Sequence, residues 1–517
     1  MDRQYRSADF SFEPAANFNS NFNNPNGSGQ TSRTSTIVAT PYGTPREPYP
    51  YPVNENGYPL DNKGGPIPPY NPRERDPFDD RNEYPEDNKG KQPYIQERQL
   101  DRTPVNISRD SIDLEKQHHG AHGAHGAHEK HDTAIDPHAK DPNQPKLPFF
   151  GVRLNHFTWA WYTLTMSTGG IATLISTQPH AFPGLISIGA VFYVVNLIFF
   201  VFLCSMMILR FSKFPGSFKE SLTHEREGLF FPTFWLSVAT IITGTQKYVV
   251  ASYDVTHPMR GWLTTSMAVA FWLYVFCTFS LAVFQYSFLF VGHTYLLTKF
   301  MPSWLLPIFP IMLAGTIASV IAADQPVASR MPMISAGLGC QGLGFTVAIV
   351  MYSHYIGRLM QVGLPNREHR PALFIGVGPP SFTILALIGM ANALPPDFDL
   401  QGDGLLDGNL LRTLAITIAL FLWVLAMWFF MIALVATLHS LPQYFHLGLW
   451  ASVFPNTGFC LATIAIGNAL NDEVIRYVGN GFSIFIITLW FFVFTLNVRA
   501  VIVADIMYPG RDEDVPD

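Results

Sequence analysis

From Leu154 onward the chain carries ten apolar stretches, free or nearly free of charge, each long enough to cross the roughly 30 Å of bilayer hydrocarbon as a helix. They run over 154–179, 184–209, 229–250, 262–292, 303–323, 332–356, 371–394, 413–438, 446–470 and 475–500. In lipid a spanning backbone must satisfy its own N–H and C=O groups, which selects helices. The expected fold class is therefore an all-α membrane protein of ten transmembrane helices arranged as five helical hairpins.

Whole-chain averages, 48% hydrophobic and 14% charged with net charge -6, hide two unlike parts. Residues 1–147 hold Asn-rich and Pro-rich runs (Asn17 to Asn26, Pro41 to Pro52, Pro66 to Pro72) and few spaced apolar residues. Such a segment buries too little surface to offset chain entropy, so a disordered cytoplasmic tail is expected. A transmembrane domain over 148–505 and a short tail over 506–517 complete the division. No apolar core follows a basic start at Met1, so the first membrane helix is expected to direct insertion. The sequons at Asn26 and Asn106 then stay unglycosylated on the cytoplasmic side.

Within the tail, His118, His119, His122, His125, His128 and His131 alternate with Gly and Ala. Those spacers hold no ligand geometry, so no metal site is expected. Cys204, Cys277, Cys340 and Cys460 lie in separate apolar spans and suggest neither a disulfide framework nor a zinc site.

Loop charges set the orientation. Lys146, Arg153, Arg210, Lys213, Lys219, Arg226, Lys299, Arg358, Arg367 and Arg370 fall on the tail's side, whereas Asp254, Asp324, Asp397, Asp399, Asp403, Asp407, Asp472 and Glu473 dominate the other. By the positive-inside rule both termini are cytoplasmic.

Odd and even spans differ. Odd spans mix hydroxyls with helix breakers: Thr165, Thr168, Gly169 and Gly170 in the first, Thr243 and Gly244 in the third, Pro307, Pro310, Thr316 and Ser319 in the fifth, Pro379, Pro380, Ser381 and Thr383 in the seventh. Even spans are mostly Phe, Leu, Ile, Val and Trp, apart from Gly337, Gly339, Gly342 and Gly344 in span six, which suit close helix packing. The alternation implies odd helices lining a central pore inside an even, lipid-facing layer. Hydroxyls and bent backbone let an anion enter and still leave.

Span nine, Leu447 to Leu470, is the most informative. It has no charged side chain, yet it carries Ser452, Asn456, Thr457 and Thr463 and is broken by Pro455 and Gly458. Phe454 directly before Pro455 is the candidate gate, a bulky ring at a bend. Near the far end of span three, Gln246 and Lys247 complete the candidate pore lining, and Lys247 has no carboxylate three or four positions away on its own helix. A cation there would draw anions toward the mouth.

Several motifs carry a resemblance. Phe157-Thr-Trp-Ala-Trp-Tyr through Gly169-Gly170, Phe231-Pro-Thr-Phe-Trp, Pro307-x-x-Pro310, Phe374-x-Gly-x-Gly-Pro-Pro-Ser-Phe382 and Phe454-Pro455 resemble the tellurite-resistance/dicarboxylate transporter family across residues 150–505. Within it the chain is most similar to fungal malic acid (C4-dicarboxylate) transport proteins, and more distantly to sulfite efflux pumps and plant slow-type anion channels. The resemblance implies a homotrimer in which each protomer has its own pore, occluded by a phenylalanine of helix nine; Phe454 matches that position.

The expected function is transport of C4-dicarboxylates such as malate and succinate across the plasma membrane, with a small inorganic anion (sulfite, nitrate, chloride) as the alternative cargo. Each elementary charge leaving a negative interior as an anion gains about 2.3 kcal/mol per 100 mV, so dianion export needs no ATP. Spans one to nine hold no Asp or Glu, which removes a carboxylate proton relay. No phosphate-binding loop, His-Glu-x-x-His pair or Gly-x-Ser-x-Gly elbow is present, so no enzyme is expected. Beyond substrate, lipid and further copies of the chain, no cofactor and no nucleic acid partner are expected.

Overall fold

The computed structural model describes residues 151–399 and 401–508. The tail with its histidine run and sequons, and the chain past Tyr508, lie outside the described residues.

Besides two short α-helices, Val152–Asn155 and Ser217–Thr223, ten longer ones organise the described residues, labelled here α1 Tyr162–Ser176, α2 Leu185–Lys213, α3 Pro232–Tyr248, α4 Pro258–Gly292, α5 Phe309–Ile321, α6 Val327–Val362, α7 Gly378–Asn392, α8 Gly408–His439, α9 Phe454–Leu470 and α10 Glu473–Val503. Among the described residues no strand forms; a lone antiparallel bridge joins Asp399 to Asp407.

Nine helical segments of the described residues are long and apolar enough to cross a membrane. The expected first span is the exception. Its α-helix has 15 residues, fewer than the roughly 20 a crossing takes, and its Thr, Ser and Gly lower its apolarity.

Burial separates the two sets of helices. In the most apolar windows of the segments containing α3, α5, α7 and α9, 61%, 83%, 83% and 89% of residues are buried, against 28–33% in α2, α4, α6, α8 and α10. Thirteen residues of α1 are also buried. Odd helices therefore form the centre, and even helices expose large apolar side chains such as Phe276, Phe421 and Ile502 outward, as lipid contact requires.

Every odd helix begins in the same way. A 3₁₀ segment leads into it: Trp159–Trp161, Glu227–Phe230, Pro302–Ile308, Arg367–Val377 and Leu447–Ser452. In α3, α5, α7 and α9 a proline then occupies the first turn, where its missing N–H has no helical partner to lose. Pro310, Pro379, Pro380 and Pro455, expected as helix breakers, stand in the first α-helical turn where the 3₁₀ segment passes into the α-helix, and Pro307 sits within a 3₁₀ run.

Even helices hold odd ones by a repeated bond. Tyr193 of α2 shares a 2.7 Å hydrogen bond with Thr245 of α3, and Tyr274 of α4 donates to the Pro310 carbonyl of α5 at 2.8 Å. Gln341 of α6 donates to Thr383 of α7 at 2.8 Å, and Trp423 of α8 to Thr463 of α9 at 2.9 Å. Trp490 of α10 donates to Thr168 of α1 at 3.1 Å, so the series closes on itself. Each odd helix is thus tied to the even helix before it around a ring.

At the end where odd helices begin, Arg210 of α2 is buried against Glu227 ahead of α3, with two guanidinium nitrogens on the two carboxylate oxygens and one also donating to the Phe157 carbonyl at 3.0 Å. Gly337 and Gly344 of α6 face α5, where an added Cβ would meet Ala318 at 2.6 Å and Met312 at 2.4 Å. Gly339 and Gly342 face open space, so only half of the expected small-residue set serves packing.

Candidate functional site

Among the described residues, Phe454 lines two cavities that lie between the odd helices. One, of about 450 Å³, sits at the end where the odd helices start; the other, of about 680 Å³, sits at the end where they finish. Besides Phe454 they share no lining residue.

Phe454 is 3% exposed. It stacks on Phe382 of α7 with centroids 5.1 Å apart and planes 27° apart. Gly170 of α1 also approaches it: a Cβ there would stand 3.3 Å from the ring and 2.8 Å from the Thr457 hydroxyl. Gly458, one turn along α9, leaves room for the Phe382 ring, whose Cζ would lie 2.8 Å from an added Cβ. Gly169 and Gly244 similarly admit Thr240 and Tyr193. These glycines, expected as kinks, are points of close approach.

The larger cavity is lined by hydroxyls. Thr243, Thr316, Ser319 and Thr457, all expected from the sequence, face it, together with Thr173, Thr177 and Thr240. Each donates its proton to a backbone carbonyl: Thr243 to Ala239 and Thr240, Ser319 to Thr316, Thr457 to Phe454, Thr316 to Phe382, and the other three to carbonyls of their own helix. Around an anion these rotors would have to turn, giving up a bond worth roughly 0.5–1.5 kcal/mol each. Such a wall binds weakly at many points.

Lys247 also lines this cavity. It is not as isolated as its own helix suggests, because Asp324, past the end of α5, lies within electrostatic reach. That carboxylate is itself held by the Gln246 amide and by Arg260 at 2.9 Å. Gln246 therefore supports the mouth without lining the cavity.

Five further expected lining residues point elsewhere. Thr165 bonds Ser237 and the Tyr162 carbonyl, Ser381 bonds the Val377 carbonyl, and Asn456 donates to the Ser452 carbonyl. Thr168 and Thr383 receive the bonds from α10 and α6. Composition marks odd helices as polar, but only the helix's rotation about its axis says which hydroxyl meets the cavity.

The smaller cavity is basic. Arg226, Lys299, His369 and His446 line it with Glu225, Asn366 and Ser303, beneath a ceiling of Met166, Phe309, Phe454 and Pro455. The His369 and His446 rings meet edge to face at 5.1 Å, and His446 Nδ1 accepts from the Gly448 N–H at 3.0 Å. In the sequence Arg226 and Lys299 mark orientation only, and neither His369 nor His446 stands out. The segments before α3, α5, α7 and α9 each give one basic or imidazole residue to this lining, but Arg367 and Arg370 beside His369, and His224 beside Arg226, hide that recurrence in the sequence.

Among the described residues no group of three or more His, Cys, Asp or Glu side chains is placed to hold a metal ion.

The profile of the SLAC1 family, described as voltage-dependent anion channel, matches residues 156–498. The chain is 34% identical over 385 residues to the malic acid transport protein of Schizosaccharomyces pombe, covering 74% of this chain and 85% of that one. It is 33% identical to a putative malic acid transport protein of the same yeast, covering 70% and 84%. It is 28% identical to the sulfite efflux pump SSU1 of Arthroderma otae, covering 67% and 91%. The chain, with its buried odd helices and the cavities between them, belongs to the SLAC1 family of voltage-dependent anion channels and is a membrane transport protein, not an enzyme.

Proposed function

We propose that this protein moves C4-dicarboxylate anions such as malate and succinate across the plasma membrane through a passage joining the two cavities, with Phe454 as its gate. The observation that carries the reading is that one buried aromatic ring borders both cavities. Displacing that ring joins them. Flow is driven by membrane potential and by concentration and pH gradients: outward movement of a dianion gains about 4.6 kcal/mol at 100 mV, twice the single-charge value.

The same reading takes all ten helices as crossing the bilayer in five hairpins, with α1 reaching through by means of its 3₁₀ turn. Both termini lie in the cytoplasm, since the basic cavity and the basic loops share one end. Assembly is a homotrimer with one passage per protomer, an expectation that rests on the family resemblance. Malate is favoured over an inorganic anion because both S. pombe relatives exceed the sulfite pump in identity. Sulfite is the second reading, supported by that pump's 91% coverage.

Proteoliposome flux of labelled malate, succinate and sulfite at set voltage and pH tests this. Wild type is expected to carry malate, and Phe454→Ala to raise its flux severalfold. Sulfite flux without malate flux selects the second reading, and unchanged or lower flux in a correctly inserted Phe454→Ala returns the ring to a packing role.

A further inference from the structure

The segments that enter four of the five central helices each bring one basic or imidazole side chain to the same cavity. Arg226 precedes α3, Lys299 precedes α5, His369 lies in the 3₁₀ run before α7, and His446 caps the run before α9. They come from four points of a ring of helices, so they surround the cavity instead of lining one wall. Glu225, beside Arg226, is the one carboxylate among the described lining residues.

Two other arginines of the run before α7, Arg367 and Arg370, do not line this cavity. Arg367 bonds Glu368 and Gln443, and Arg370 bonds the Pro365 and Ala436 carbonyls. The chamber's ceiling is Phe454 with Pro455, so a solute held here waits directly beneath the ring. The opposite cavity has a single lysine and hydroxyls whose protons are already donated to backbone. Electrostatic attraction for a doubly charged anion is therefore concentrated on one side of Phe454.

We propose that Arg226, Lys299, His369 and His446 form a docking site for dicarboxylates on the α-helix-start side of Phe454. Two fixed cations from different segments match two carboxylates, and the imidazole N–H groups supply further donors. A monovalent anion can use only part of the ring at once. Selection for divalent cargo is thus made before the gate, on the side proposed above as cytoplasmic. The inference rests on the transport reading of this same passage.

The test uses the full-length protein, with Lys299→Gln and His369→Gln singly and combined, and Lys247→Gln as a variant of the opposite cavity. His446 is left in place because its ring caps a backbone N–H. Labelled malate and chloride fluxes are measured in oriented proteoliposomes from each face, and malate binding is read separately as a thermal shift of purified protein. Variants must keep the ligand-free melting temperature.

Lys299→Gln is expected to raise KM for malate on the basic-cavity face about tenfold to a hundredfold, the effect of losing one charge-assisted contact. KM on the other face, and chloride flux, should change less than twofold. Arg226→Gln with an unchanged melting temperature should act alike. An unaltered KM on the basic face, an equal loss for chloride and malate, or the same face-specific effect from Lys247→Gln would overturn the site. A wild type that moves no malate, yet is stabilised by it in a Lys299-dependent way, supports the docking site and removes the transport reading. Absence of any malate-dependent stabilisation together with unchanged KM removes the site while leaving transport standing.

Discussion

Two glycines and two phenylalanines pack together at the border of the two cavities. Gly458 is occupied, in effect, by the Phe382 ring, so Gly458→Ala forces the ring to move and is expected to cost about 1–3 kcal/mol by overpacking. Because Phe382 backs Phe454, the same variant should leak anions as well as melt earlier. A thermal melt in detergent and a basal flux assay read both effects, and a stable variant with wild-type flux would separate the two rings functionally. At the far mouth Lys247→Gln should reduce malate flux by more than chloride flux, since a dianion feels its charge twice over. Equal losses for the two anions would limit Lys247 to packing at the end of α3. Phe454 was legible in the sequence as a bulky ring before a proline. Phe382 was not, because its role exists only through contact with a residue 72 positions away, as the numbering of the pair shows.

Among elements, the odd helices share an entry by a 3₁₀ segment and a tie to an even neighbour. The Arg210–Glu227 pair fixes α2 to the entry of α3 in the interior. Arg210→Met alone leaves the Glu227 carboxylate buried without its cation and is expected to destabilise by about 3–5 kcal/mol. Replacing both, Arg210→Met with Glu227→Leu, should recover most of that, because two apolar groups leave no buried charge. Melting temperatures of the single and double variants decide it, and a double variant no better than the single would mean that other bonds of Arg210 matter more. The ties from even helices explain why Thr168 and Thr383, selected as pore hydroxyls, face outward: each donates to its own helix and accepts from an even helix. Side-chain type marked the helix as polar. Rotation about its axis, set by packing, chose the hydroxyl's neighbour.

For the whole molecule, the pattern is a ring of buried helices within a ring of exposed ones. The described residues that line the two cavities fall between Thr163 and Ala469, so deletion of residues 1–140 is expected to leave malate flux within about twofold of wild type, a change of under half a kcal/mol on the scale of tenfold per 1.4 kcal/mol. A truncated protein that inserts and assembles normally but carries nothing would place part of the transport apparatus in the tail.

Amphipathic chemistry along the chain determined by itself that the protein is helical, that it is built for lipid, and that alternate spans differ in polarity. These follow from local composition, since the cost of an unpaired backbone or a charge in hydrocarbon acts residue by residue. Only the tertiary structure decided that the prolines begin helices, that the glycines are contact points, that Asp324 stands near Lys247, and that four basic groups from distant segments meet under one phenylalanine. Each depends on which face of a helix meets which neighbour, a quantity fixed by packing between segments far apart in sequence and by no single segment alone.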